Sequence, residues 1–306
     1  MTDGYISAKS TLPGSPPDNS RLPQDLDFTN SANPIMKRIK TLLLGAILSA
    51  ATLTQAAEKK HVTGYTDTPL LPDGKWRVHD DNRPRPKVVT SGATFSHGAP
   101  APSDAVVLFD GTDLSKFKNQ KAGKPVGWKV ENGYMEVAPK SGTIQTKDEF
   151  GDFQLHLEFA TPGKAISNSQ GRGNSGVIIY GKYEVQVLDS FQNKSYADGQ
   201  VGAMYGQFPP LRNAAKAPGV WQSYDIIFES ARWDGSKLTK KANVTVIHNG
   251  VLLHHRKEFI GTVKHKRVAD YKSPHPPKGP IVLQDHGNPM RFRNIWIRHI
   301  GDYDEG

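Results

Sequence analysis

Trp128-Lys-Val-Glu-Asn-Gly-Tyr-Met-Glu-Val137 is the stretch that decides the fold. Two short runs flank Asn132-Gly133, and an Asn-Gly pair accepts the positive φ that both centres of a tight hairpin turn require. Working outward, a period of two recurs in Phe153-Gln-Leu-His-Leu-Glu-Phe159, Ser175-Gly-Val-Ile-Ile-Tyr180 and Tyr183-Glu-Val-Gln-Val-Leu188. It continues in Trp221-Gln-Ser-Tyr-Asp-Ile-Ile-Phe228, Ala242-Asn-Val-Thr-Val-Ile247 and Val251-Leu-Leu-His254, the last two joined through Asn249-Gly250. Pro280-Ile-Val-Leu-Gln284 and Phe292-Arg-Asn-Ile-Trp-Ile297 close the series. Many short strands with turn signals between them predict an all-β, two-sheet antiparallel sandwich.

Composition narrows the function classes. The 306 residues carry 39 Lys and Arg against 30 Asp and Glu, a net charge of +9. The basic residues are scattered, and the densest run, Lys264-His-Lys266-Arg267, has no interleaved aromatics, which argues against nucleic acid as a partner. With no cysteine, disulfides, thiolate nucleophiles, zinc–thiolate sites and a lipid anchor on an N-terminal cysteine are excluded.

Upstream of the strands, residues 36–56 read as a secretory signal. Lys37, Arg38 and Lys40 precede an apolar run from Leu42 to Leu53, and Thr54-Gln-Ala56 supplies a small-x-small cleavage site. The run is short of the ~20 apolar residues that span a bilayer, so no membrane anchor is expected to remain. Residues 1–35, rich in Ser, Pro and Asp, read as a disordered extension or as sequence ahead of a true start at Met36. The expected location is periplasmic or secreted. Residues 57–103 are Pro-rich and read as an extended arm docked on a sandwich domain at 104–301, with 302–306 a tail.

Alternation supplies the first site candidates. In Tyr183-Glu-Val-Gln-Val-Leu188, Tyr183, Val185 and Val187 share a core face, which turns Glu184 and Gln186 outward. If Ile281 and Leu283 face the core, then Gln284 and His286 share the opposite face, and a histidine near its ordinary pKa suits proton transfer. Asp285 points away and braces the turn. The Gly-rich Gln170-Gly-Arg-Gly-Asn-Ser-Gly176 lacks phosphate-loop spacing and reads as a tight loop, with Arg172 and Asn174 facing either a ligand or the turn itself. Tyr205 is a candidate stacking platform, and Arg293 lies open between a sheet ion pair and the site. Neither a nucleophile elbow nor a His-Glu-x-x-His zinc helix is present.

Val107-Leu-Phe-Asp-Gly-Thr-Asp-Leu-Ser115, Gly173-Asn-Ser-Gly-Val177, Tyr183-Glu-Val-Gln-Val-Leu-Asp189 and Leu283-Gln-Asp-His-Gly287 with Phe292-Arg-Asn294 resemble the 3-keto-disaccharide hydrolase family. The resemblance spans about residues 106–300 and implies a concanavalin A-like, LamG-like jelly roll acting on carbohydrate. It implies cleavage of 3-keto-glycosides, in which the ketone acidifies C2–H and the enolate expels the C1 oxygen. Glu184 and His286 would then divide the acid and base roles, with the assignment between them open. Arg172, Asn174, Gln186, Tyr205, Gln284 and Arg293 would position the sugar. A divalent metal on Glu184, His286 or Asp189 is an alternative enolate stabiliser. Ordinary glycoside hydrolysis would need a second facing carboxylate, for which Asp189 is poorly placed. A non-catalytic, lectin-like carbohydrate-binding module is the rival from another class.

Overall fold

The computed structural model describes residues 61–92 and 97–301. The extension at 1–35, the signal at 36–56 and the tail at 302–306 therefore lie outside the described residues. Among those described there is no α-helix, only the 3₁₀ turns Ser169–Gly171 and Ala197–Gly199, and no helix long and apolar enough to cross a membrane.

Two antiparallel sheets face each other. The larger runs in the order Val251–Glu258, Asn243–His248, Gln222–Glu229, Phe153–Ala160, Arg291–His299, Tyr134–Glu136 and Lys129–Glu131, with Val106–Phe109 also pairing along Arg291–His299. The smaller runs Phe117–Asn119, Ile144–Thr146, Ile281–Leu283, Asn174–Ile179 and Tyr183–Leu188. The fold is the expected jelly-roll sandwich. Both Asn-Gly turns behave as read, with positive φ at Asn132, Gly133, Asn249 and Gly250.

Strand alternation builds the core. Phe153, Leu155, Leu157 and Phe159 of the larger sheet and Val177, Ile179, Tyr183, Val185 and Val187 of the smaller belong to one buried cluster. Burying each such side chain contributes roughly 1.5–3 kcal/mol, which is why the register cannot slip by one residue. The sequence reading missed two strands of the smaller sheet, Phe117–Asn119 and Ile144–Thr146, and four outside the two main sheets, Lys87–Val88, Arg212–Asn213, Arg232–Asp234 and Lys237–Lys240, all two to four residues long and too short to display a period.

The arm is docked through polar as well as apolar contacts. Val78 and His79 are fully buried, and Asp198 of the sandwich accepts from the His79 backbone N–H (3.0 Å) and lies 3.1 Å from its Nδ1. Lys87–Val88 adds a two-residue parallel pairing with Arg212–Asn213.

Candidate functional site

Glu184 and Gln186 project from the outer face of the smaller sheet, because the odd residues of their strand are committed to the core. The register carries this face across the sheet: Glu184 lies opposite Ile178, Gln186 opposite Gly176 and Leu188 opposite Asn174. On the next strand Val282 pairs with Ile178, and the Gln284 N–H donates to Gly176 carbonyl at 3.1 Å, so the ladder extends one step beyond Leu283. Gln284 and His286 thus emerge beside Gly176 and Asn174. A pocket of about 470 Å³ opens over this patch, within the roughly 300–1,000 Å³ usual for small-molecule sites. Glu184, Gln186, Asn174, Tyr205, Gln284 and His286 all line it.

Gly176 gives Glu184 its place. A β-carbon there would lie 2.6 Å from Glu184 Oε1, so the carboxyl leans over a strand position that has no side chain. Glu184 is 6% exposed, and burial alone pushes its pKa up to about 8. His286 stands at the pocket rim, and partial burial holds its imidazole below the ordinary histidine value. At neutral pH the carboxyl is largely protonated and the imidazole largely neutral. Two groups pushed in opposite directions form a proton donor and a proton acceptor on one surface.

The surrounding polar groups are tied down. Gln170 Oε1 accepts from Gln186 Nε2 at 2.9 Å, while its own Nε2 donates to Ser195 Oγ (2.7 Å) and Gly199 carbonyl (2.9 Å). Asn174 Nδ2 donates to Gln170 carbonyl at 2.8 Å. The hydroxyls of Tyr205 and Tyr196 are 2.8 Å apart, and Tyr205 also reaches His265 Nδ1 at 3.3 Å. Burial raises the pKa of both tyrosines, keeping them as neutral hydroxyls. Tyr205 therefore brings a ring and a fixed hydroxyl to the wall.

Arg172 and Arg293 are not brought to the pocket. Arg172 is held by Asp189 at 2.7 and 3.0 Å and donates to Phe191 carbonyl, because a carboxylate 2% exposed at the end of the neighbouring strand claims it. Arg293 belongs to the larger sheet, where it sits opposite Glu158 in the register and bonds Glu158 Oε2 at 2.8 Å, its guanidinium over the Trp221 ring. Asp189, engaged by Arg172, is not free to ligate a metal. Among the described residues no group of three or more His, Asp or Glu side chains is disposed to hold one. Asp285 braces its turn as expected, accepting from Gly142 and Gly287 N–H groups at 2.8 Å each.

Other pocket residues escaped the sequence reading: Gln170, Ile178, Tyr196, Val263, His265, and from the arm His61, Val62 and Tyr65. Alternation along the strand Asn174–Ile179 would have pointed to Ile178. Gln170 lies within the quoted Gly-rich loop. The others arrive from distant loops, and no local period marks them.

A jelly roll whose open face gathers amides, imidazoles, tyrosines and one neutral carboxyl is equipped for a carbohydrate. Over residues 104–298, more than half of its length, the sequence matches the 3-keto-alpha-glucoside-1,2-lyase-like domain, and the chain belongs to that family of carbohydrate-acting proteins. A provisionally named glycosyl hydrolase from Parabacteroides distasonis ATCC 8503 shares 44% identity, covering 71% of this chain and 93% of its own, with a TM-score of 0.64. A second such protein from that organism shares 25% identity over 64% of this chain and 99% of its own, with a TM-score of 0.48. No curated protein matches the chain.

Proposed function

We propose that this protein is an exported enzyme that cleaves 3-keto-glycosides by elimination across C1 and C2, with water adding back to give net hydrolysis. The observation that carries the reading is Glu184: a buried carboxyl with a pKa near 8, lying over Gly176 on the same face as a histidine whose pKa is lowered. The family's name, a 1,2-lyase, supports the same bond.

The roles follow from the two protonation states. Neutral His286 removes the C2 proton, and the electron pair delocalises into the C3 ketone as an enolate. Collapse of the enolate forms the C1=C2 bond and breaks the bond from C1 to the glycosidic oxygen, which takes its proton from Glu184. Water addition then reverses the transfers: its proton returns to Glu184, its hydroxide joins C1, and His286 returns a proton to C2. Both groups end as they began. The enolate oxygen needs hydrogen-bond donors. With Arg172 and Arg293 committed elsewhere, Gln284 is the amide of the expected set whose side chain makes no hydrogen bond to another described residue, and it takes that role. Gln186 and Asn174 are held by Gln170 and shape the floor.

The test is turnover of a 3-keto-glucoside by the wild-type protein, Glu184→Gln and His286→Ala, each with and without a chelator. Loss of turnover in both variants is expected, each by about 100-fold or more. Undiminished turnover in both sinks the assignment. The pocket's tyrosines would equally serve a non-catalytic binder; saturable sugar binding by a wild-type protein without turnover would establish that reading instead.

A further inference from the structure

Nearly all of the chemistry assigned above lies within residues 104–298, yet one side of the pocket does not. His61, Val62 and Tyr65 line it from the arm, outside the segment that matches the family. We propose that this part of the arm is a substrate-contacting wall that restricts the site to short 3-keto-glycosides, Tyr65 being the residue that sets the limit. The size preference rests on the sugar-cleaving reading; the existence of the wall does not.

The wall is built rather than draped. Asn168 clasps it at both backbone groups, its Oδ1 accepting from His61 N–H at 2.9 Å and its Nδ2 donating to His61 carbonyl at 2.8 Å. Ser169 Oγ donates to Val62 carbonyl at 2.6 Å and lies 2.9 Å from Ser195 Oγ, the same hydroxyl that receives Gln170. The arm's backbone and the pocket floor are thus joined by one run of hydrogen bonds. The His61 ring packs on the Cα of Gly171, where a β-carbon would overlap it. Tyr65 is held between Lys266, whose Nζ is 3.9 Å from its ring centre, and Tyr196 at 6.1 Å between centroids. Farther along the arm, the fully buried His79 and Asp198 pin it to the sandwich. A wall held at this many points does not yield to a longer saccharide, so a chain extending past Tyr65 clashes instead of displacing it.

Two readouts test the proposal. In the first, kcat/KM is compared for 3-keto-glucosides bearing a methyl group or a maltotriosyl group, in the wild-type protein, Tyr65→Ala, Tyr65→Phe and Gly171→Ala. The wild type and Tyr65→Phe are expected to favour the methyl glycoside by about tenfold or more, and Tyr65→Ala and Gly171→Ala to erase most of that preference. An unaltered ratio in both overturns the size limit. In the second, diethylpyrocarbonate modification of His286 is followed by peptide mass spectrometry without any sugar. Faster modification in Gly171→Ala than in the wild type is expected, because displacing the His61 ring, whose charge bears on His286, opens the arm side of an imidazole already exposed at the rim. Equal rates overturn the wall, and this readout decides even if no 3-keto-glycoside is turned over, an outcome that would sink the sugar-cleaving reading alone.

Discussion

The Glu184 carboxyl occupies the space that any side chain at position 176 would fill, 2.6 Å separating its Oε1 from where a β-carbon of residue 176 would stand. Gly176 has an ordinary negative-φ strand backbone, so alanine fits the main chain and the conflict is with the carboxyl alone. Gly176→Ala should therefore lower kcat by about 100-fold through displacement of the proton donor, since misplacements on the order of 1 Å carry that cost. Steady-state kinetics with a 3-keto-glucoside checks this. Wild-type kcat in a folded Gly176→Ala protein would show that Glu184 does not need its position.

Glu184 also makes the fold sensitive to alkali. Its folded pKa of about 8 exceeds the ordinary 4.5, so its contribution is fully retained below pH 4.5 and is lost as pH rises through 8. Glu184→Gln has no such loss. The variant should gain stability relative to the wild type between pH 5 and pH 8.5, by a few kcal/mol at most for a carboxyl so buried. Urea unfolding midpoints across that range decide it, and a difference that does not change with pH would show the carboxyl to be unperturbed.

Arg172 braces the loop instead of holding substrate. Removing it leaves Asp189, whose own pKa burial pushes up, without its partner in a site only 2% exposed. Arg172→Ala should cost about 3–5 kcal/mol in denaturant unfolding, the usual penalty for stranding a buried charge. A change in KM with unchanged stability would return Arg172 to the site.

On the larger sheet, His156 and Glu158 form a second charged centre remote in sequence from the pocket strands. Burial opposes charge on both. The Asp225 and Glu158 contacts nevertheless raise His156 to about 9, and the His156 ring, its Nε2 3.7 Å from Glu158 Oε1, together with bonds from Asn294, Gly98 and Arg293, holds Glu158 down at about 2. His156 therefore contributes stability fully below pH 6.5 and loses it as pH rises through 9. Glu158 contributes above pH 4.5 and loses it as pH falls toward 2. Glu158→Ala should destabilise by about 3–5 kcal/mol at pH 7 with kcat little changed, as seen by calorimetry and kinetics together. A selective loss of kcat at wild-type stability would tie this centre to the chemistry.

Period-two alternation made most of the fold legible, because burying one face of a strand fixes the other. The same rule sorted Glu184 and Gln186 from Tyr183, Val185 and Val187, and carried Gln284 and His286 to the same surface. It could not place the arginines. A long guanidinium goes to whichever buried carboxylate is nearest in space, and Asp189 and Glu158 claimed Arg172 and Arg293. Nor could it reach Tyr196, His265 or Tyr65, whose positions depend on loop closure over many residues. The direction of the pKa shifts at Glu184 and His286 was likewise hidden, since it depends on burial by those same loops.

The arm that passes over the pocket has a consequence for how such proteins diverge. Its residues lie outside the strands whose register places Glu184 and Gln284, so the arm side chains that face the pocket, Val62 and Tyr65 among them, can be exchanged without altering that register. Under the proposed wall, two proteins sharing the 104–298 domain at high identity would perform one reaction on different customers. On the wall proposed above, kinship of the sandwich speaks for the chemistry, and the diet is to be read from the arm.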